Sequence, residues 1–71
     1  ELGRAGTVEL VVYDVGGRRV RELVRGALPA GRHRTVWDGR DDEGAPVGAG
    51  VYFYTLRTAE GQWQRKLVRL E

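Results

Sequence analysis

Apolar and polar residues alternate along most of the chain, as they do in β-strands that turn one face towards a core. The first such segment is 7–14, in which Val8, Leu10 and Val12 fall on one face at a period of two. The remaining residues of the segment are largely β-branched or aromatic. We therefore predict a β-strand over 7–14.

A hairpin is predicted immediately after this strand. Two adjacent glycines in 15–18 supply a tight turn, and 19–25 returns as the pairing strand. Val20 and Leu23 lie three residues apart in the returning strand, so either a β-bulge brings both to the core or the piece is a short helix. We favour the bulge.

The strongest strand signal lies at 51–58, which is rich in aromatic and β-branched residues. It sets Tyr52, Tyr54 and Leu56 on one face. After a polar turn, 63–70 is predicted as its hairpin partner. These two segments form the second hairpin of the predicted fold.

One more strand is predicted over 32–37, where residues alternate between two faces up to Trp37. In the last strand, 63–70, we expect Val68 and Leu70 to face the neighbouring strand. Short strands at regular spacing without a helical pattern predict an antiparallel sandwich or a small barrel.

The length of 71 residues allows one small domain, and the absence of cysteine leaves apolar packing as its source of stability. No apolar run approaches the roughly 18–20 residues of a membrane helix, so we expect no membrane insertion. The chain begins at Glu1 without a signal-peptide pattern. We expect it to be an excerpt or a processed part of a longer protein.

A loop dense in carboxylates and glycines separates the predicted strands at 32–37 and 51–58. Its carboxylates are weak candidates for a calcium site, because Ca²⁺ takes about six to eight oxygen ligands. The spacing lacks the first and last ligands of an EF-hand loop, so we predict no metal and instead a corner whose carboxylates accept backbone N–H groups. The candidate ligands are Asp38, Asp41, Asp42 and Glu43, and the predicted structural corner comprises Trp37, Asp38, Gly39, Asp41, Gly44, Gly50 and Tyr52.

The aromatic residues have two predicted roles. Trp37, close in sequence to Tyr52 and Tyr54, fits a carbohydrate or peptide platform, but in a chain this short we expect these side chains to form the core. A second set is expected on the outer face of the sheet, where an apolar strip marks a contact surface. This candidate protein interface consists of Val11, Tyr13, Phe53 and Trp63.

Catalytic and cofactor sites are poorly supported. His33 is the sole histidine and the chain lacks serine and cysteine, so a common hydrolytic triad is excluded, and we predict a structural strand histidine. The glycines of 48–50 precede a strand rather than a helix and lack the third glycine of a dinucleotide loop. We predict no enzyme activity, no cofactor and no small-molecule substrate.

Nucleic-acid binding is the competing interpretation from another class, because arginines interleave with aromatic residues on a small β-domain. Twelve basic residues are nearly balanced by ten acidic ones, which argues against it. We expect instead that the arginines pair with carboxylates across strands. The residues concerned are Arg18, Arg21, Arg34, Arg57, Arg65 and Arg69, with Glu9, Glu22 and Glu60 as acidic partners.

The order of these motifs resembles the immunoglobulin-like domain of the flagellar hook-capping protein (FlgD-type), and also the related C-terminal sorting domains of the type IX (Por) secretion system. The specific part is the spacing from Trp-Asp-Gly at 37–39 to Gly-Val-Tyr at 50–52. The resemblance covers about residues 7–70 and implies a small antiparallel immunoglobulin-like β-sandwich without catalysis. It also implies a place in exported or cell-surface bacterial proteins.

The expected organisation is an N-terminal linker at 1–6 and an Ig-like domain at 7–71. The resemblance implies a C-terminal module that mediates secretion sorting, surface anchoring or protein assembly. The alternative is a self-assembling subunit of an extracellular filament or a flagellar-hook-type structure, with nucleic-acid binding as a further alternative. Expected partners are proteins, namely parent-chain domains, secretion or assembly machinery or a second copy, and the expected location is extracellular or at the cell surface.

Overall fold

The computed structural model describes residues 6–32 and 35–70, and these form four β-strands. Strand bounds are β1 (Gly6–Asp14), β2 (Arg19–Leu28), β3 (Gly50–Thr58) and β4 (Gly61–Arg69). All four predicted segments with the clearest alternation are confirmed as strands, with ends that coincide or are shifted by up to three residues. Within the described part of the chain, no helix is long and apolar enough to cross a membrane.

The strands make one antiparallel sheet in the order β2-β1-β3-β4. Each hairpin is local, and the pairing of β1 with β3 joins the two hairpins in the centre of the sheet. In the first turn, Asp14 Oδ1 accepts the N–H groups of Gly16 and Arg18, each at 2.9 Å. Gly17 has a φ of 84°, which the turn requires and which glycine adopts without strain.

Two register shifts interrupt the pairing of β1 with β2, between Leu10 and Val11 and between Val12 and Tyr13. They leave Leu23 and Val20 without a partner in β1, as residues of a β-bulge are. The predicted bulge is confirmed. Leu23 thereby joins the residues that line the apolar face of the sheet.

The two faces of the sheet differ in character, because residues directly opposite each other in an antiparallel pair share a face. Leu10, Leu56 and Trp63 lie in one row across β1, β3 and β4, and this face is apolar. Glu9 and Arg57 lie opposite each other on the second face, which is more polar.

The core lies in the middle of the sheet. Val12, in the central strand β1, is only 1% exposed. Described residues of the connection between β2 and β3 cross one end of the apolar face, where Trp37 packs edge-on against Tyr52 with ring centroids 5.1 Å apart. The rest of this face is an open groove of about 390 Å³, which Trp63 also lines.

Two expectations need correction. The described residues of the predicted strand at 32–37 belong to none of the four strands, and His33 lies outside the described residues. Leu70 lies beyond the end of β4 and is 79% exposed, so it does not face the neighbouring strand as expected. Val68 does lie opposite Val51 of β3, but on the more polar face and 54% exposed, whereas Leu67 lies opposite Tyr52 on the apolar face.

The fold is all-β and antiparallel, as predicted, and is consistent with an immunoglobulin-like domain. It differs from a two-sheet sandwich, since the described residues form one sheet and only one end of its apolar face is covered, where Trp37 packs against Tyr52. Residues 1–5 of the expected linker lie outside the described residues.

Candidate functional site: the acidic corner and the sheet edges

The acidic loop folds into a corner in which aspartates bind the loop's own backbone. Asp41 Oδ1 accepts the N–H groups of Glu43 and Ala45, both at 2.9 Å, and Asp38 Oδ1 accepts that of Arg40 at 3.1 Å. Short carboxylate side chains favour turns through bonds of this kind to residues ahead of them.

Asp42 connects the corner to the edge of β2. Its backbone N–H donates to the carbonyl of Val20 at 2.9 Å, and its Oδ1 accepts the N–H of Glu22 at 2.8 Å. Its Oδ2 lies 3.1 Å from Nε of Arg19. Asp42 thus takes the place of a pairing strand at this point and satisfies backbone groups that an edge strand leaves open.

A second anchor lies at the end of β4. Gly39 is buried with a φ of 76°, and a Cβ at this position would come within 2.5 Å of the guanidinium carbon of Arg69. Nε of Arg69 donates to the carbonyl of Val47 at 3.3 Å, and Val47 N–H donates to the carbonyl of Gly39 at 2.9 Å. Glycine is required here both by the backbone conformation and by the close approach of Arg69.

Aromatic side chains form a third anchor. Nε1 of Trp37 donates to the carbonyl of Arg40 at 2.9 Å, while its ring packs against Tyr52. The hydroxyl of Tyr52 donates to the carbonyl of Gly48 at 2.7 Å. The corner is therefore attached to β2, β3 and β4 at the same end of the sheet. Gly50, which was also predicted to belong to the corner, is the first residue of β3.

The chemistry available to this corner is limited by these bonds. Asp38, Asp41 and Asp42 each direct an oxygen to a backbone N–H, and none of the described residues form a group of three or more potential metal ligands. In the same part of the chain every buried side-chain nitrogen or oxygen has a hydrogen-bond partner. The arrangement suits a structural corner.

The predicted interface residues do not share one face. Tyr13 lies opposite Phe53 on the more polar face, whereas Trp63 lies opposite Leu56 on the apolar face. Val11 falls on the face of Tyr13 but is 3% exposed, so it contributes little accessible surface. Trp63 is 44% exposed. The register separates it from the other three.

The two outer edges of the sheet are unequal. Asp42 covers β2 at residues 20–22, but no described residue pairs with the outer side of β4. Every second residue of an edge strand directs its N–H and C=O groups outwards. The outer side of β4 is therefore an open hydrogen-bonding edge within the described part of the chain.

The ion pairs also distinguish β4 from the other strands. Glu9 lies between Arg25 and Arg57, with 3.7 and 3.8 Å to their guanidinium nitrogens, so the expected pairing of Arg57 with Glu9 is confirmed. Arg65 and Lys66 of β4 have no carboxylate within ion-pair distance among the described residues. For Arg18, Arg65 and Arg69 the expected pairs with Glu9, Glu22 or Glu60 are wrong in this part of the chain, and Arg21 lies near Asp38 instead. Among the described residues, the arginines that lie within ion-pair distance of a carboxylate are Arg19, Arg21, Arg25 and Arg57.

Sequence reasoning missed the arginines that hold the corner. Besides Arg19 and Arg69, Arg21 contributes, because its Nη1 lies 3.1 Å from the carbonyl of Asp41 and 3.8 Å from Oδ1 of Asp38. The many arginines on strands that flank an acidic loop indicate that some of them bind the loop. The sequence does not indicate which arginine reaches the loop, since that depends on strand order.

Comparison with known proteins agrees with this architecture. The FlgD Ig-like domain family matches residues 2–62, most of the chain. The chain belongs to this family. Two curated relatives, each called basal-body rod modification protein FlgD, come from Salmonella typhimurium (strain LT2) and Salmonella typhi, and each is 37% identical over 60 residues.

The FlgD Ig-like domain accounts for only part of those relatives. The matched region covers 84% of this chain but 26% of each Salmonella protein. The chain thus spans about a quarter of the length of the curated relatives it matches. No solved structure matches it significantly.

Proposed function

We propose that this FlgD Ig-like domain is a non-catalytic module that makes protein contacts in an exported assembly of the flagellar-hook type. Its family membership carries this proposal, together with the names of the two relatives, which refer to modification of the basal-body rod. These names favour the assembly alternative over a role in secretion sorting.

The use of polar groups in the corner supports a scaffold role. Asp41 and Asp42 bind backbone groups, and Arg69 is held against Val47, so these side chains stabilise the domain rather than face a substrate. The exposed surface offers an open strand edge and a partly exposed tryptophan, Trp63. Backbone edges and exposed aromatic rings are common elements of protein-protein contacts.

Assembly and sorting predict different consequences of removing the domain. In the host cell, residues 6–70 would be deleted in frame from the gene of the parent protein. Under the assembly proposal, the truncated protein still leaves the cytoplasm, but the external structure to which it contributes fails to form. The measurements are immunoblots of cell and external fractions and electron microscopy of the cell surface.

A matched control keeps the domain folded and changes only its exterior. Arg18 is exposed in the turn between β1 and β2, and Arg18→Glu should leave both export and assembly as in the wild type. Retention of the truncated protein inside the cell would contradict the assembly proposal and favour sorting. Normal external structures in the deletion strain would exclude both roles.

A further inference from the structure

The open edge of β4 coincides with positive charge that the domain does not neutralise. The strand Gly61–Arg69 carries three basic residues and no carboxylate. Arg69 is held by the corner, but Arg65 and Lys66 have no ion-pair partner among the described residues. By contrast, Arg25 and Arg57, on β2 and β3, both lie beside Glu9.

The apolar groove also opens beside this strand. Trp63 and Leu67 are on β4 and line the groove, and Trp63 is 44% exposed. The corner lies at the opposite end of the strand, where Arg69 contacts Val47. An added strand along β4 would therefore extend the sheet and place its side chains over the exposed part of the groove.

We propose that the outer edge of β4 binds an extended acidic segment of a partner protein by β-strand addition. This inference rests on the proposed function and specifies the chemistry of the partner. Residues opposite each other share a face, so the segment needs acidic residues opposite Arg65 and Lys66 and apolar residues opposite Trp63 and Leu67. Opposite Gln64 a polar residue fits.

Charge disfavours a second copy at the same edge. Arg65 is the middle residue of β4, so antiparallel pairing of two β4 strands about their centres would bring Arg65 opposite Arg65 and each Lys66 close to cationic neighbours. Like charges directly opposite each other destabilise a strand pair. The edge thus resists self-association and accepts an acidic strand.

The test uses the 71-residue chain and a synthetic capped peptide with a central run of valine, glutamate, glutamate, threonine and valine, the order that antiparallel pairing with residues 63–67 requires. We expect saturable binding by fluorescence anisotropy, weakened by added salt. Every second amide of β4 should become protected from hydrogen exchange, because those amides acquire new hydrogen bonds. A peptide with lysine in place of glutamate should not bind.

Lys66→Glu should weaken binding about five- to tenfold, because one cross-strand attraction is replaced by repulsion. Arg18→Glu changes the net charge equally and lies two strands away from β4, so it should have no effect. Both residues are exposed, and equal melting temperatures would show that each variant is folded.

Several outcomes would overturn the inference. These are equal binding of the lysine peptide, equal loss in both variants, or binding without alternating protection in β4. Light scattering that detects a dimer dissociated by Lys66→Glu would assign the edge to a second copy. Preferential binding of an oligonucleotide at the same residues would assign it to nucleic acid. An unaltered deletion phenotype would refute the proposed function even if the peptide binds.

Discussion

Gly39 shows how one residue fixes the corner. It has a left-handed backbone conformation, and it leaves the space that the Arg69 guanidinium occupies. Gly44 has a similar φ of 84°, but nothing lies within 4 Å of a Cβ built there. A substitution at Gly44 therefore tests backbone strain alone, whereas the same substitution at Gly39 tests backbone strain together with steric contact.

Replacement by alanine should destabilise the domain at both positions. We expect about 1–2 kcal/mol from the left-handed conformation in Gly44→Ala. Gly39→Ala should lose roughly 1 kcal/mol more, since Arg69 must move out of contact. Urea unfolding followed by tryptophan fluorescence measures both values. Equal destabilisation would show that the contact with Arg69 contributes nothing.

The turn chemistry of single residues was accessible from the sequence. Asp38, Asp41 and Gly44 adopt the predicted roles because such bonds reach only a few residues along the chain. The bond from Arg69 to Val47 spans 22 positions, so its partner depends on the packing of distant elements. Local patterns carry no information about that choice.

At the scale of elements, Asp42 joins the corner to β2. Asp42→Ala removes the acceptor of the Glu22 N–H and the ion pair with Arg19. We expect a loss of about 1–2 kcal/mol, with faster hydrogen exchange of the Glu22 amide in NMR spectra. Glu43→Ala is the control, because the Glu43 side chain makes no hydrogen bond or ion pair with any described residue, and it should change stability by less than about 0.5 kcal/mol. The same effect in both variants would contradict this role.

The carboxylates of the corner also allow a prediction about calcium. Because Asp38, Asp41 and Asp42 already accept backbone N–H groups, the melting temperature should be the same in chelator and in millimolar calcium. Circular dichroism melts provide the measurement, with sodium chloride at equal ionic strength as the control. An increase specific to calcium would show that the loop binds the ion.

Residues 32–37 were predicted to form a strand, but the described ones belong to no strand. The reason lies in the pairing between elements. Alternation describes the faces of a strand, but a strand also needs a partner for its backbone groups. At Val20 and Glu22 the edge of β2 is bound by Asp42, and Trp37 is held by the Arg40 carbonyl and the Tyr52 ring. Trp37 thus packs against the sheet without extending it.

For the whole molecule, stability depends on a small number of central residues. Val12 is fully buried in the middle of the sheet, and Val12→Ala should cost about 2 kcal/mol. In a domain of this size that corresponds to a decrease in melting temperature of roughly 8–16 °C. Val68→Ala, at an exposed position, should change stability by less than about 0.5 kcal/mol. Thermal melts of the two variants that coincide would contradict this description of the core.

The all-β class and both hairpins could be predicted because alternation and turn residues are local. The pairing of β1 with β3 could not, since nothing in either segment specifies its neighbour across the long connection. The separation of Trp63 from Phe53 follows from the register of β3 with β4. The position of Trp63 on the apolar face therefore cannot be predicted without knowing which residues of β3 and β4 are paired.

The central pairing of β1 with β3 also has a kinetic consequence. The hairpins at 6–28 and 50–69 each pair two strands that follow each other directly in the chain. Each hairpin can therefore form early and repeatedly in the unfolded chain. Joining them requires closure of the connection between residues 28 and 50, which lowers the chain's entropy before the β1–β3 contacts compensate. The rate of folding should therefore depend on the length and stiffness of that connection, and shortening it outside the corner should accelerate folding.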